Sequence, residues 1–147
     1  MRWAGWFAAV ATAAGCAASA PDAVSPYRVE GDAIRERLSP AAPGDAARGK
    51  QLFSSRDSNC FLCHSAPGAG ARFMGNLGPP LAGVAARFTE AQLRLLVVDP
   101  MRLNPDTIMP SYYRMDGLNR VGEAWRDKPV FTAQRVEDTV AYLLTLR

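Results

Sequence analysis

Cys60-Phe61-Leu62-Cys63-His64 decides the reading of this chain. Two thiols separated by two residues can be presented together by one tight turn, and the imidazole that follows at once lies over whatever the thiols hold. This Cys-x-x-Cys-His spacing ties a haem to protein through two thioethers and an axial imidazole. Other uses of paired cysteines run short of partners. A structural zinc site takes four Cys or His ligands, but His64 is the only histidine of the chain and Cys16 the only other cysteine. A thioredoxin-like dithiol belongs in alternating βαβ patterning, and no strand pattern surrounds the motif.

The start of the chain reads as an export leader. Residues 1–20 carry one early positive charge at Arg2, an apolar alanine-rich run from Trp3 to Gly15 and then small residues, which is the pattern of a secretory signal peptide. The run is too short and wrongly flanked for a membrane span. Cleavage is expected near 18–20, with Ala18 favoured because cutting after Ala20 would leave Pro21 at the new terminus. Ala13-Ala14-Gly15-Cys16 also resembles a weak lipoprotein box. Cys16 is therefore either removed with the leader or lipidated, and a membrane enters only in the second case. Removal leaves the two motif cysteines and no disulfide framework.

What remains has the size of a single domain without internal repeats. The chain has 17 basic and 14 acidic residues, and losing Arg2 leaves an excess of about two charges. These charges are scattered, which argues against a nucleic-acid partner.

Residues 21–44, rich in Pro, Ala and polar side chains, read as an arm that can hold a short helix around 32–38. Pro40-Ala41-Ala42-Pro43-Gly44 breaks the chain, and Asp45 can cap a helix running through Lys50 and Phe53 that opens a domain over 45–147. Gly49 and Phe53 share one face of it. Thr89 and Gln92 form a capping box for a helix over 90–98, which Asp99-Pro100 should stop. Thr132 can cap a last helix through Leu146, with Val136, Val140, Leu143 and Leu144 on one stripe. The fold expected is all-α with long loops.

The loops carry the iron chemistry. A second axial ligand cannot be histidine, which leaves methionine, lysine, water or an open position. Methionine is often core filler. Met109, in the proline-flanked loop Asn104-Pro105-Asp106-Thr107-Ile108-Met109-Pro110, follows a helix and can wrap to the distal face, so it is the candidate. Met74, Met101 and Met115 are less suitably placed. The aromatic residues Tyr112, Tyr113 and Trp125 could line a partner surface or a haem edge, although packing is their commoner use. Burial of the two tyrosines away from any expected interface would confirm packing.

The order of helix, attachment motif, methionine loop and last helix resembles class I cytochromes c. The resemblance implies helices and long loops wrapped around one covalently attached haem c. It also implies that the first and last helices cross where a glycine admits close approach beneath an aromatic side chain, here Gly49 and Tyr142. In Gly78-Pro79-Pro80-Leu81, the Pro79 carbonyl would accept a hydrogen bond from His64, fixing the ring and tuning its basicity. The alternative is that two prolines stiffen a turn.

More specifically, Gly78-Pro79-Pro80-Leu81-Ala82-Gly83-Val84-Ala85, Val98-Asp99-Pro100 and Ile108-Met109-Pro110-Ser111-Tyr112-Tyr113 resemble the SoxX family, monohaem cytochrome subunits of the bacterial SoxAX sulfur-oxidation complex. Val29-Glu30-Gly31-Asp32-Ala33 in the arm is similar too, as are Gly117-Leu118, Arg120-Val121, Lys128-Pro129, Val136-Glu137-Asp138 and Ala141-Tyr142-Leu143-Leu144 in the tail. One departure is Asp127, where the family more often has glycine. The resemblance implies a periplasmic heterodimer with the SoxA cytochrome, acting through the complex on the SoxYZ carrier. SoxAX is an S-thiosulfotransferase that joins thiosulfate oxidatively to a carrier cysteine. Its catalytic haem belongs to SoxA, so this chain would pass electrons to a soluble cytochrome and needs no catalytic acid, base or nucleophile. A free-standing class I carrier would share the haem residues without the partner. A haem peroxidase would leave the distal site open, and this chain has no second histidine to serve there as acid or base. The remaining alternative is a haem-free metal or thiol protein.

Overall fold

Asp45 opens α1 (Ala46–Phe53), its carboxylate accepting from the Arg48 N–H at 2.9 Å. The computed structural model describes residues 24, 26–38 and 42–147. The expected export leader with Cys16, and part of the proline break, lie outside the described residues.

The remaining helices are α2 (Cys60–Cys63), α3 (Val84–Arg87), α4 (Glu90–Val98) and α5 (Ala133–Leu143), with 3-10 turns at Pro100–Arg102 and Glu123–Trp125. Among the described residues, β structure is confined to one isolated bridge between Glu30 and Ala33. No helix among the described residues is long and apolar enough to cross a membrane. At α4 both halves of the capping box form: the Thr89 hydroxyl accepts from the Gln92 N–H at 3.3 Å, and the Gln92 side chain accepts from the Thr89 N–H at 2.9 Å. Thr132 caps α5 by accepting from the Arg135 N–H. That helix stops at Leu143 rather than Leu146. The Thr145 hydroxyl takes the Tyr142 carbonyl at 2.6 Å, and the Thr145 and Leu146 N–H groups turn to bonds three residues back. Leu146 is buried even so.

Helix α1 lies across α5. At the crossing, a Cβ on Gly49 would overlap the Asp138 carbonyl and come within 2.8 Å of the Tyr142 Cβ, so only glycine permits this approach. Gly44 does the same one turn earlier, against the Glu137 carbonyl and 3.0 Å from the Ala141 Cβ. The sequence pointed to Gly49 and Tyr142 but treated Gly44 merely as part of a break. Phe53 and Tyr142 then stack in a tilted pair 5.8 Å apart. With α4 packed on α5, Leu93, Leu95, Val98, Phe131, Val136 and Val140 close the core.

Inside that core sits an ion pair that the sequence did not announce. Arg94 donates to both oxygens of Glu137 (2.8 and 2.9 Å), to Glu90 and to the Ile34 carbonyl. Arg94 and Glu137 are only 1% and 2% exposed. Glu137 also accepts from the Leu38 N–H at 2.8 Å. Multiple hydrogen bonds of this kind are what a buried charge pair requires.

These bonds explain why no helix forms around 32–38. Gly31, at φ 63°, turns the chain between Glu30 and Ala33. Beyond the turn, the Ile34 N–H goes to the Ala91 carbonyl on α4 and that of Leu38 to Glu137 on α5. Donors that a local helix would use are drawn to other elements, and the side chains of Ile34 and Leu38 are buried beneath.

Candidate haem-binding site

The attachment turn is a single helical turn, α2, entered through Asn59 at φ 55°. Asparagine tolerates this left-handed conformation better than most residues. The Cys60 and Cys63 thiols are free and half-buried. Burial pushes the Cys60 thiol up, opposed in part by its contacts with Ser58 and Tyr112. The loop that follows is stitched back onto the turn by bonds from Gly75 N–H to Phe61 O, Gly78 N–H to Cys63 O and Leu81 N–H to Ser65 O, each 2.8 Å.

This stitching lays the His64 ring on Gly78. A Cβ there would meet Nδ1 at 2.7 Å and Nε2 at 2.8 Å, so any other residue would displace the imidazole. His64 Nδ1 lies 2.7 Å from the Pro79 carbonyl oxygen. A carbonyl can only accept, so Nδ1 carries the proton, and the neutral tautomer leaves the Nε2 lone pair available to a metal. Arg87, which the sequence reading passed over, braces the same loop by donating to the Ala82 carbonyl at 2.8 Å and the Pro80 carbonyl at 2.9 Å.

Met109 is half-buried and packs against the core. Its N–H donates to the Thr107 hydroxyl, and two residues on the Ser111 hydroxyl donates to buried Asp99 at 3.0 Å. Arg102 and Arg114 also face Asp99, at 3.6 and 3.7 Å. The Tyr112 N–H goes to Val97 O, that of Tyr113 to Val98 O, and Phe131 N–H returns to Tyr112 O at 2.7 Å. Both tyrosines are buried, at 6% and 0% exposure, so they pack; Trp125 stays half exposed. Of the other candidate sulfurs, Met74 Sδ accepts from the Ala66 N–H and Met101 Sδ from Arg114, each at 3.4 Å.

Two thiols, an imidazole with Nε2 available and a loop methionine are the donor set that haem c requires. The large apolar side chains left exposed include Leu62, Phe73 and Leu77 around the attachment turn and Ile108 beside Met109. Such exposure suits a group with a broad apolar surface. The residues present therefore fit a haem.

Residues 46–147 match the family described as Cytochrome c. No curated protein matches by sequence. Among solved structures, one described as the crystal structure of SoxXA from P. pantotrophus superposes with a TM-score of 0.76 at 32% identity, the match covering 85% of this chain and 98% of that one.

Proposed function

This chain belongs to the cytochrome c family as a SoxX-type cytochrome with one covalently bound haem c, and we propose that it relays electrons within a periplasmic SoxAX complex. In this reading Cys60 and Cys63 form the two thioethers, His64 supplies the proximal nitrogen and Met109 the distal sulfur. Bound haem supplies a one-electron iron couple. The chain's own residues do the rest. Gly78 leaves room for the ring of His64, and the Pro79 carbonyl holds its Nδ1 proton and raises its basicity as a donor. A histidine and methionine pair favours the reduced iron relative to stronger donors, which suits the accepting end of a relay.

The partner would be the SoxA cytochrome, whose haem carries the oxidative joining of thiosulfate to the SoxYZ carrier cysteine, and electrons would leave to a soluble cytochrome. The observation that carries the reading is the 2.7 Å contact between His64 and Pro79 within a chain of which 85% matches one chain of a SoxXA structure. Two measurements test it. Ferric holoprotein should show the weak far-red methionine-to-iron absorption, and Met109→Ala should abolish it while leaving the haem covalently attached. The chain should also co-purify with SoxA. A stable monomer without affinity for SoxA would refute the complex, and an unaltered spectrum in Met109→Ala would refute the ligand.

A further inference from the structure

Tyr112 stands three residues beyond Met109 and reaches back to the attachment turn. Its hydroxyl donates to the Ser58 carbonyl at 2.5 Å, and Cys60 Sγ lies 3.9 Å from the hydroxyl oxygen of Tyr112. Ser58 is itself buried and donates its hydroxyl to the Leu52 carbonyl at the end of α1. The Tyr112 backbone is fixed separately, to Val97 on one side and Phe131 on the other, and its ring packs 4.5 Å from that of Phe131. Backbone and ring therefore secure Tyr112 to the α4 side of the fold. The hydroxyl is its link to the loop that carries Cys60. Burial pushes the phenol well above its ordinary value, so it remains a donor throughout the working range of pH.

Resting on the reading of Met109 as sixth ligand, we propose that Tyr112 is a positioning residue whose hydroxyl latches the methionine loop to the attachment turn and so governs how readily that loop opens to outside ligands. An outside ligand reaches ferric iron only after the methionine leaves, so its rate of entry reports loop opening. Losing one buried hydrogen bond should raise the opening constant roughly fivefold.

The test uses ferric holoprotein with cyanide as the probe. Tyr112→Phe keeps the ring and removes the hydroxyl. It should retain covalent haem and the far-red absorption, yet bind cyanide roughly fivefold faster. Phe131→Leu loosens the packing of the ring but keeps the hydroxyl, and its cyanide rate should stay within about twofold of the unaltered protein. An unchanged rate in Tyr112→Phe would overturn the proposal, as would equal acceleration in Phe131→Leu. Failure of Tyr112→Phe to mature would overturn it too, because a latch on one loop is not needed for folding. Lack of the far-red absorption in the unaltered protein would instead strike the Met109 assignment, so the two failures are distinguishable.

Discussion

Asp127 illustrates how a single departure from a family pattern acquires a physical meaning. The resemblance leads one to expect glycine at this position, and in the structure Asp127 adopts φ 59°. An L-residue in that region meets its own carbonyl, a cost that glycine avoids and aspartate only partly escapes. Asp127→Gly should therefore stabilise the protein by about 1 kcal/mol, seen as a higher denaturant midpoint with an unchanged slope. Gly78→Ala should act in the opposite direction and more locally. Its methyl group would push on the His64 ring, so the variant should mature with less haem and show a shifted reduction potential in voltammetry. The haem-binding motif could be read at this scale because its chemistry is contiguous: five neighbouring residues specify it. Arg94 and Glu137 could not, being 43 positions apart, and nothing in a linear sequence shows that two ordinary-looking charges meet inside the core.

Helix starts were equally legible, since an N-cap is a relation between residues three apart, whereas the end of α5 was not. Asp45, Thr89 and Thr132 each cap the helix they were expected to start. Crossings between helices were half legible. Gly49 signalled one, whereas Gly44 looked like a turn residue until its neighbour Glu137 came into view. At Gly49 the obstacle is backbone, which cannot swing aside, so Gly49→Ala should cost about 3 kcal/mol in chemical denaturation. The same junction carries a pH signature. Asp138 accepts from Arg48 at 2.7 Å, from the Asp45 N–H at 2.8 Å and from Gln134 at 2.9 Å, tying α1 to α5. Burial alone would push its carboxyl up, but these donors outweigh burial and hold it below the usual carboxylate range. A depressed native value means that the stabilisation is complete above the unfolded value of about 3.9 and disappears as pH falls through the lower native one. Asp138→Asn should accordingly be less stable than the unaltered protein at pH 7, and the two unfolding curves should converge in strong acid.

Over the whole molecule, the buried Arg94 guanidinium joins three segments far apart in sequence: the arm through Ile34, α4 through Glu90 and α5 through Glu137. Replacing Arg94 with methionine would leave Glu137 enclosed without its counter-charge, at an expected cost of about 3–5 kcal/mol in global unfolding. The double variant Arg94→Met, Glu137→Leu should recover much of that loss, and their coupling can be read from a double-mutant cycle. The arm's conformation was hidden from sequence reasoning for the same reason that it matters. Its local pattern permitted a helix, but partners 57 residues away, such as Ala91 for Ile34, determine where its backbone goes. Those partners also make the arm a wall of the domain, although the family match starts only at residue 46. A protein cut back to that boundary would carry an open apolar scar where Ile34 and Leu38 had been seated. Such truncated material should prove adhesive, self-associating at concentrations where the longer chain stays dispersed.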